Sequence, residues 1–211
     1  MSIYIFFDII IKFSALWLIF RIFKVQRTTL SLNYNFLFIV LLSLTIFGLA
    51  DSPLIFRNPI EPNDTNIYKI FKYLISSVIV APIFEELLYR KIFLQQLLNK
   101  KVPNLYSIVI VSVPFTLVHA QYLIPTPKPL TLLAVLITSL AISWVYVNTR
   151  NVFICIVIHS ICNVLAFFCA RINQKIFESL PTQYIGFLLS IIIFGGLYFI
   201  MIKRLSSNYK S

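Results

Sequence analysis

The chain has 211 residues, 59% of them hydrophobic and only 12% charged, with a net charge of +11. Ordinary soluble domains carry about 25% charged residues, and a soluble chain of this size could not hide so much apolar surface. This composition excludes an ordinary soluble domain and sets the expectation of one all-α membrane domain over 1–211, a polytopic transmembrane bundle of about 7–8 helices. The 18 basic residues gather at the ends of hydrophobic runs, where they orient a chain against anionic lipid. The bilayer is therefore the expected partner of that charge, and nucleic acid is not.

Crossing a bilayer takes about 20 apolar residues. Seven runs meet or approach that length: Ser2–Phe23, Leu32–Ala50, Ile67–Phe84, Asn104–Ile124, Leu130–Asn148, Val152–Ala170 and Tyr184–Ile202. The first lacks a basic start, and Asp8 and Lys12 interrupt it, so it reads as a membrane helix rather than a cleaved signal. Those two charges are four apart and can pair on one face. Asp51–Asn66 holds Pro53, Pro59 and Pro62 with more acid than base, and reads as an outer loop. Glu85–Lys100 continues the third run with helical pattern but mixed polarity. It is either the end of a long third helix or a separate short one, which would make eight. The segment after Arg171 reads as a loop closed by Pro181. Basic residues then favour an outer N-terminus and an inner C-terminus for seven spans; an eighth span moves the N-terminus inside.

Few polar residues remain inside these runs. Glu85 and Glu86 are adjacent carboxylates beside hydrocarbon, a costly arrangement tolerated where a cavity or a partner receives them. Both histidines of the chain, His119 and His159, lie in hydrophobic runs, and Asn163 stands four residues after His159. Residues four apart share a helix face. Phe115 and His119 therefore project together, as do His159 and Asn163. Glu86 can pair with Arg90 one turn on, while Glu85 points about 100° away, toward Tyr89. One acid is then neutralised and the other left for chemistry.

A glutamate, two histidines and an asparagine from three helices suit peptide hydrolysis. Glu85 can take a proton from water. A histidine can orient that water or protonate the leaving amine, and Asn163 with His159 can donate to an oxyanion. The same residue types also suit a divalent metal such as zinc, with Glu85, His119 and His159 as its ligands. Against these readings, a lone intramembrane His or Asn is more often interhelical glue. Three such features in a chain this poor in polar residues reverse those odds. Cys155, Cys162 and Cys169 are spaced by seven along one run and read as small hydrophobes, with a Cys/His metal site beside His159 as the lesser alternative.

Glu85-Glu86-x-x-x-Arg90, Phe115-x-x-x-His119 and His159-x-x-x-Asn163, in that order on successive runs, resemble the three motifs of the CPBP family. These are type II CAAX prenyl endopeptidases and Abi-like, bacteriocin-processing membrane proteins. Trp144–Asn151 also resembles the approach to the third motif, and the likeness covers about Ile79 to Val164 within a core of about 67–170. The resemblance implies an intramembrane endopeptidase, described as a metalloprotease group, acting on a peptide or protein precursor at the membrane. It implies that Glu85 activates water, that His119 assists, and that His159 and Asn163 line the oxyanion side. Glu86, Arg90 and Phe115 would hold the motifs in shape. The expected location is the cell membrane of a bacterium, with the C-terminus cytoplasmic. A non-catalytic, immunity-type member binding a partner is the alternative. A small carrier is disfavoured because no internal repeat is found.

Overall fold

The computed structural model describes residues 36–50, 74–120, 129–169 and 180–208, together with residues 10, 11, 14, 17, 21, 70 and 71. Among the described residues there is helix and no strand. Six rods carry the architecture: α1 (Phe36–Ala50), α2 (residues 74–99), α3 (Asn104–Leu117), α4 (Pro129–Thr149), α5 (Val152–Cys169) and α6 (Leu180–Asn208). The predicted first run is described only at Ile10, Ile11, Ser14, Trp17 and Arg21, which are helical. The Asp8–Lys12 pair and the loops at 51–66 and after Arg171 lie outside the described residues.

The core forms where α1, α4 and α5 meet. Ile39, Leu42 and Ile46 of α1 pack with Ile142, Val145 and Tyr146 of α4 and Ile154 and Ile158 of α5, all buried. α6 lies on α1, and α3 packs between α4 and α2. The contact of α1 with α6 is tight because Gly48 has no side chain: a Cβ there would stand 2.6 Å from the Phe194 ring. Windows of α4 (Leu132–Thr149) and α6 (Leu188–Leu205) are long and apolar enough to cross a membrane, while α1, α3 and Val152–Ala166 of α5 are shorter apolar helices. On α6 the exposed face is itself apolar, with Leu188, Ile192, Phe199 and Ile200 open to the surroundings.

One open alternative is settled and one boundary changes. Glu85–Lys100 is not a separate helix, because α2 runs unbroken through it. Its winding is uneven: Leu74–Val80 and Leu87–Leu94 form wide π turns around the α-helical Ala81–Glu86. Pro82 has no N–H for the turn before it, so the backbone there cannot keep the regular ladder. α3 ends at Leu117 rather than Ile124, which puts His119 in the turn beyond the helix. Pro114 inside α3 removes one ladder bond, and the helix stops within a turn of it. α6 begins at Leu180, so Pro181, which marks the end of the expected loop, stands in a first turn, where proline fits because the N–H groups lack helical partners anyway.

Candidate active site

The site is built on α2, α3 and α5, with α4 closing one side. The connection from α4 to α5 is two residues long and sets the depth of His159. Arg150 adopts a left-handed conformation at φ 51°, and its N–H reaches the Tyr146 carbonyl at 2.7 Å. Asn151 then caps α5, its Oδ1 accepting from the N–H groups of Phe153 at 2.9 Å and Ile154 at 3.4 Å. From this fixed start, two turns of helix bring His159 to the face of α2 that carries the glutamates.

Glu86 and Arg90 are wholly buried. Arg90 Nη1 donates to Glu86 Oε1 at 3.0 Å, one turn apart. Its Nη2 donates to the Ser139 carbonyl at 3.1 Å and to Ser139 Oγ at 2.9 Å, tying α2 to α4. The guanidinium lies 4.7 Å from the centre of the Phe115 ring, a cation–π contact with α3. Phe115 in turn stands edge-on to Tyr89 at 5.0 Å and lies 4.9 Å from His119 and 6.2 Å from His159, ring centre to ring centre.

Glu86 does more than neutralise Arg90. Its Oε1 also meets His159 Nδ1 at 2.8 Å. A carboxylate only accepts, so Nδ1 carries the proton and Nε2 is the ring atom turned toward Glu85. Glu85 Oε2 stands 3.9 Å from that Nε2. This is too long for a direct bond, but one water about 2.8 Å from each would bridge them. Glu85 is one-fifth exposed where Glu86 is sealed. The two adjacent acids thus bracket one imidazole, one from beneath and one from the open side.

Glu85 and His159 line a cavity of about 290 Å³ together with His119, Asn163, Ser77 and Thr138. His119 Nδ1 lies 2.8 Å from the Phe115 carbonyl, which can only accept, so this ring too carries its proton on Nδ1. Asn163 Nδ2 donates to the carbonyl of Ser77 at 2.7 Å, a bond from α5 to the wide turns of α2. All four residues expected to be catalytic therefore share one cavity. Ser77, Thr138, Ser139 and the Glu86–His159 bond are additions. Ser77 was readable as a polar residue two helical turns before Glu85, and Ser139 as a hydroxyl inside an apolar run.

Cys155 and Cys162 stand apart from the polar work. Cys155 is fully buried, its thiol directed to the carbonyls of Ile142 and Asn151. Cys162 borders the cavity and reaches the Ser43 carbonyl at 3.7 Å. Among the described residues, no three His, Cys, Asp or Glu side chains gather as a metal-binding group. Glu85, His119 and His159 line one cavity without closing into such a group.

Residues 67–165 match the family model of the type II CAAX prenyl endopeptidase Rce1-like proteins, a span that contains every one of these side chains. That match, over just under half of the chain, and the relative described next support the CPBP family for this stretch. A relative, the UPF0177 protein YxdF of Lactococcus lactis subsp. lactis (strain IL1403), is 34% identical over 113 residues. That alignment covers 52% of this chain and 55% of the relative, so the chain spans about half the length of the curated relative it matches. No solved structure matches. The family is membrane-associated, which agrees with the two long apolar helices among the described residues.

Proposed function

We propose that the chain is an intramembrane endopeptidase that hydrolyses a peptide bond of a membrane-associated precursor, with Glu85 as the base that activates water. The observation that carries this reading is His159 held between two carboxylates, bonded to the buried Glu86 and facing the accessible Glu85 across a water-sized gap. Glu85 takes the proton as the water oxygen attacks the peptide carbon. His119, its Nδ1 turned to the Phe115 carbonyl, offers Nε2 as a second acceptor to align that water. The carbonyl oxygen becomes an oxyanion, supported by Asn163 Nδ2–H, while His159, its Nδ1–H held by Glu86, turns Nε2 toward the water at Glu85. When the tetrahedral species collapses, the C–N bond breaks and Glu85 returns its proton to the leaving amine.

The cavity is small and mixed in polarity, which suits the backbone and one modest side chain of an extended segment. Leader peptides, bacteriocin-like precursors and lipidated C-termini all present such segments at a membrane. The apolar helices and the basic ends of the runs support an integral protein of a bacterial cell membrane with an inner C-terminus.

The test compares new protein termini in membranes from cells expressing wild type or Glu85→Gln, read by mass spectrometry. Termini present only with wild type, and lost in His119→Ala and His159→Ala at equal membrane yield, are expected. Identical termini in all four would sink the enzyme and leave a partner-binding protein of the same fold. Chelation of purified, reconstituted protein checks whether hydrolysis needs a metal; the donor arrangement leads us to expect cleavage to persist.

A further inference from the structure

A second recess lies on the other side of the Tyr89–Phe115 contact and plays no part in the chemistry above. It is a groove of about 290 Å³ between α2 and α3, walled by Tyr89, Phe93 and Leu97 on one side and by Ile110, Val111 and Pro114 on the other. Tyr89, Phe93, Leu97 and Lys100 follow one face of α2 at intervals of three or four residues. Lys100 therefore stands at the end of an apolar trough about 16 Å long, by the ordinary helical rise. A helix about 10–12 Å across would need well over ~1,000 Å³ along such a length, so the groove has room for one hydrocarbon chain but not for a helix. Phe93 and Ile110 in its walls are themselves exposed, so a chain can enter from the bilayer. At its end Lys100 and Lys101 are both exposed, with Gln96 on the lining.

We propose that this groove binds one anionic glycerophospholipid, its acyl chain lying along Phe93, Leu97 and Ile110 and its phosphate at Lys100. The shape selects a single chain over a protein segment, and the two lysines select negative over zwitterionic headgroups. Tyr89 forms the inner end of the groove and packs edge-on to Phe115, so the bound chain would end one ring away from the cavity that holds His119 and His159. The site does not depend on the proposed hydrolysis and is read without an activity measurement.

The experiment is native mass spectrometry of the full chain released from bilayers of equal phosphatidylglycerol and phosphatidylcholine. One retained phosphatidylglycerol per protein is expected. Lys100→Gln should lower its occupancy relative to phosphatidylcholine about fivefold, the worth of one lysine beside an anionic surface. Ile110→Trp should empty the groove of both lipids, whereas the same ring introduced on the exposed face of α6, Ile192→Trp, should leave retention unchanged. Equal retention of the two lipids by wild type would overturn the proposal. So would phosphatidylglycerol retained undiminished by both Lys100→Gln and Ile110→Trp, or a free fatty acid bound instead of an intact lipid.

Discussion

Glu86 and Glu85 are chemically identical neighbours whose surroundings divide their work. A buried ion pair seldom raises stability above that of an apolar replacement, because desolvation offsets the attraction. Here Glu86 Oε2 and Arg90 Nε are buried without a hydrogen-bond partner among the described residues, which weakens the case for stability further. What the Glu86–Arg90–Ser139 network supplies is position: it fixes which nitrogen of His159 faces Glu85. Arg90→Ala should therefore cost about 3–5 kcal/mol, since Glu86 would be left buried beside its orphaned partners. A thermal melt in detergent checks this. Glu86→Gln should lower both the melting temperature and turnover, whereas Glu85→Gln should abolish turnover with the melt nearly unchanged. Equal melts for the two glutamine variants would refute the division of labour. Much of this was legible, because Glu85, His119, His159 and Asn163 stand out in a chain with so few polar residues. The Glu86–His159 bond was not, since a four-residue spacing identifies intrahelical partners and says nothing about a third helix 73 positions away.

At the scale of elements, two short features carry disproportionate weight. Asn151 caps α5 from a connection only two residues long, so the depth of His159 depends on that cap. Asn151→Ala should cost about 1 kcal/mol, while Asn151→Asp should be nearly neutral because aspartate caps equally well. Denaturation in mixed micelles would measure the difference. Gly48→Val should be worse, about 1–3 kcal/mol, because its side chain would have to displace the Phe194 ring between α1 and α6. A melt equal to wild type would mean that Phe194 swings away at no cost. Helix existence was readable from run length and hydropathy, and the starts of α3 and α5 were read to the residue. The uneven winding of α2 and the early end of α3 were not. The wide turn before Pro82 and the end of α3 after Pro114 follow from single prolines, whose effect is a missing N–H at one point of a ladder rather than a change in hydropathy.

At the scale of the whole molecule, the count of membrane crossings turns on α2. Residues 74–99 form one rod of about 39 Å at the ordinary helical rise, somewhat less where the turns are wide. A hydrocarbon core is about 30 Å thick. One rod is therefore long enough to cross once with its Lys100 end at the surface, and it has no internal break that would let Glu85–Lys100 count as a further span. The glutamates then fall near the middle of the rod, at a depth where only a cavity makes them tolerable. If the six rods and the first hydrophobic run each cross once, as the sequence leads one to expect, seven spans put the two ends of the chain on opposite sides. An impermeant thiol reagent applied to intact cells should label Ser2→Cys, while Lys203→Cys at the end of α6 should be labelled only after the cells are opened. Labelling of both positions only after opening would return the count to an even number. It would also require a crossing that α2 cannot supply, most simply from the residues between α1 and α2.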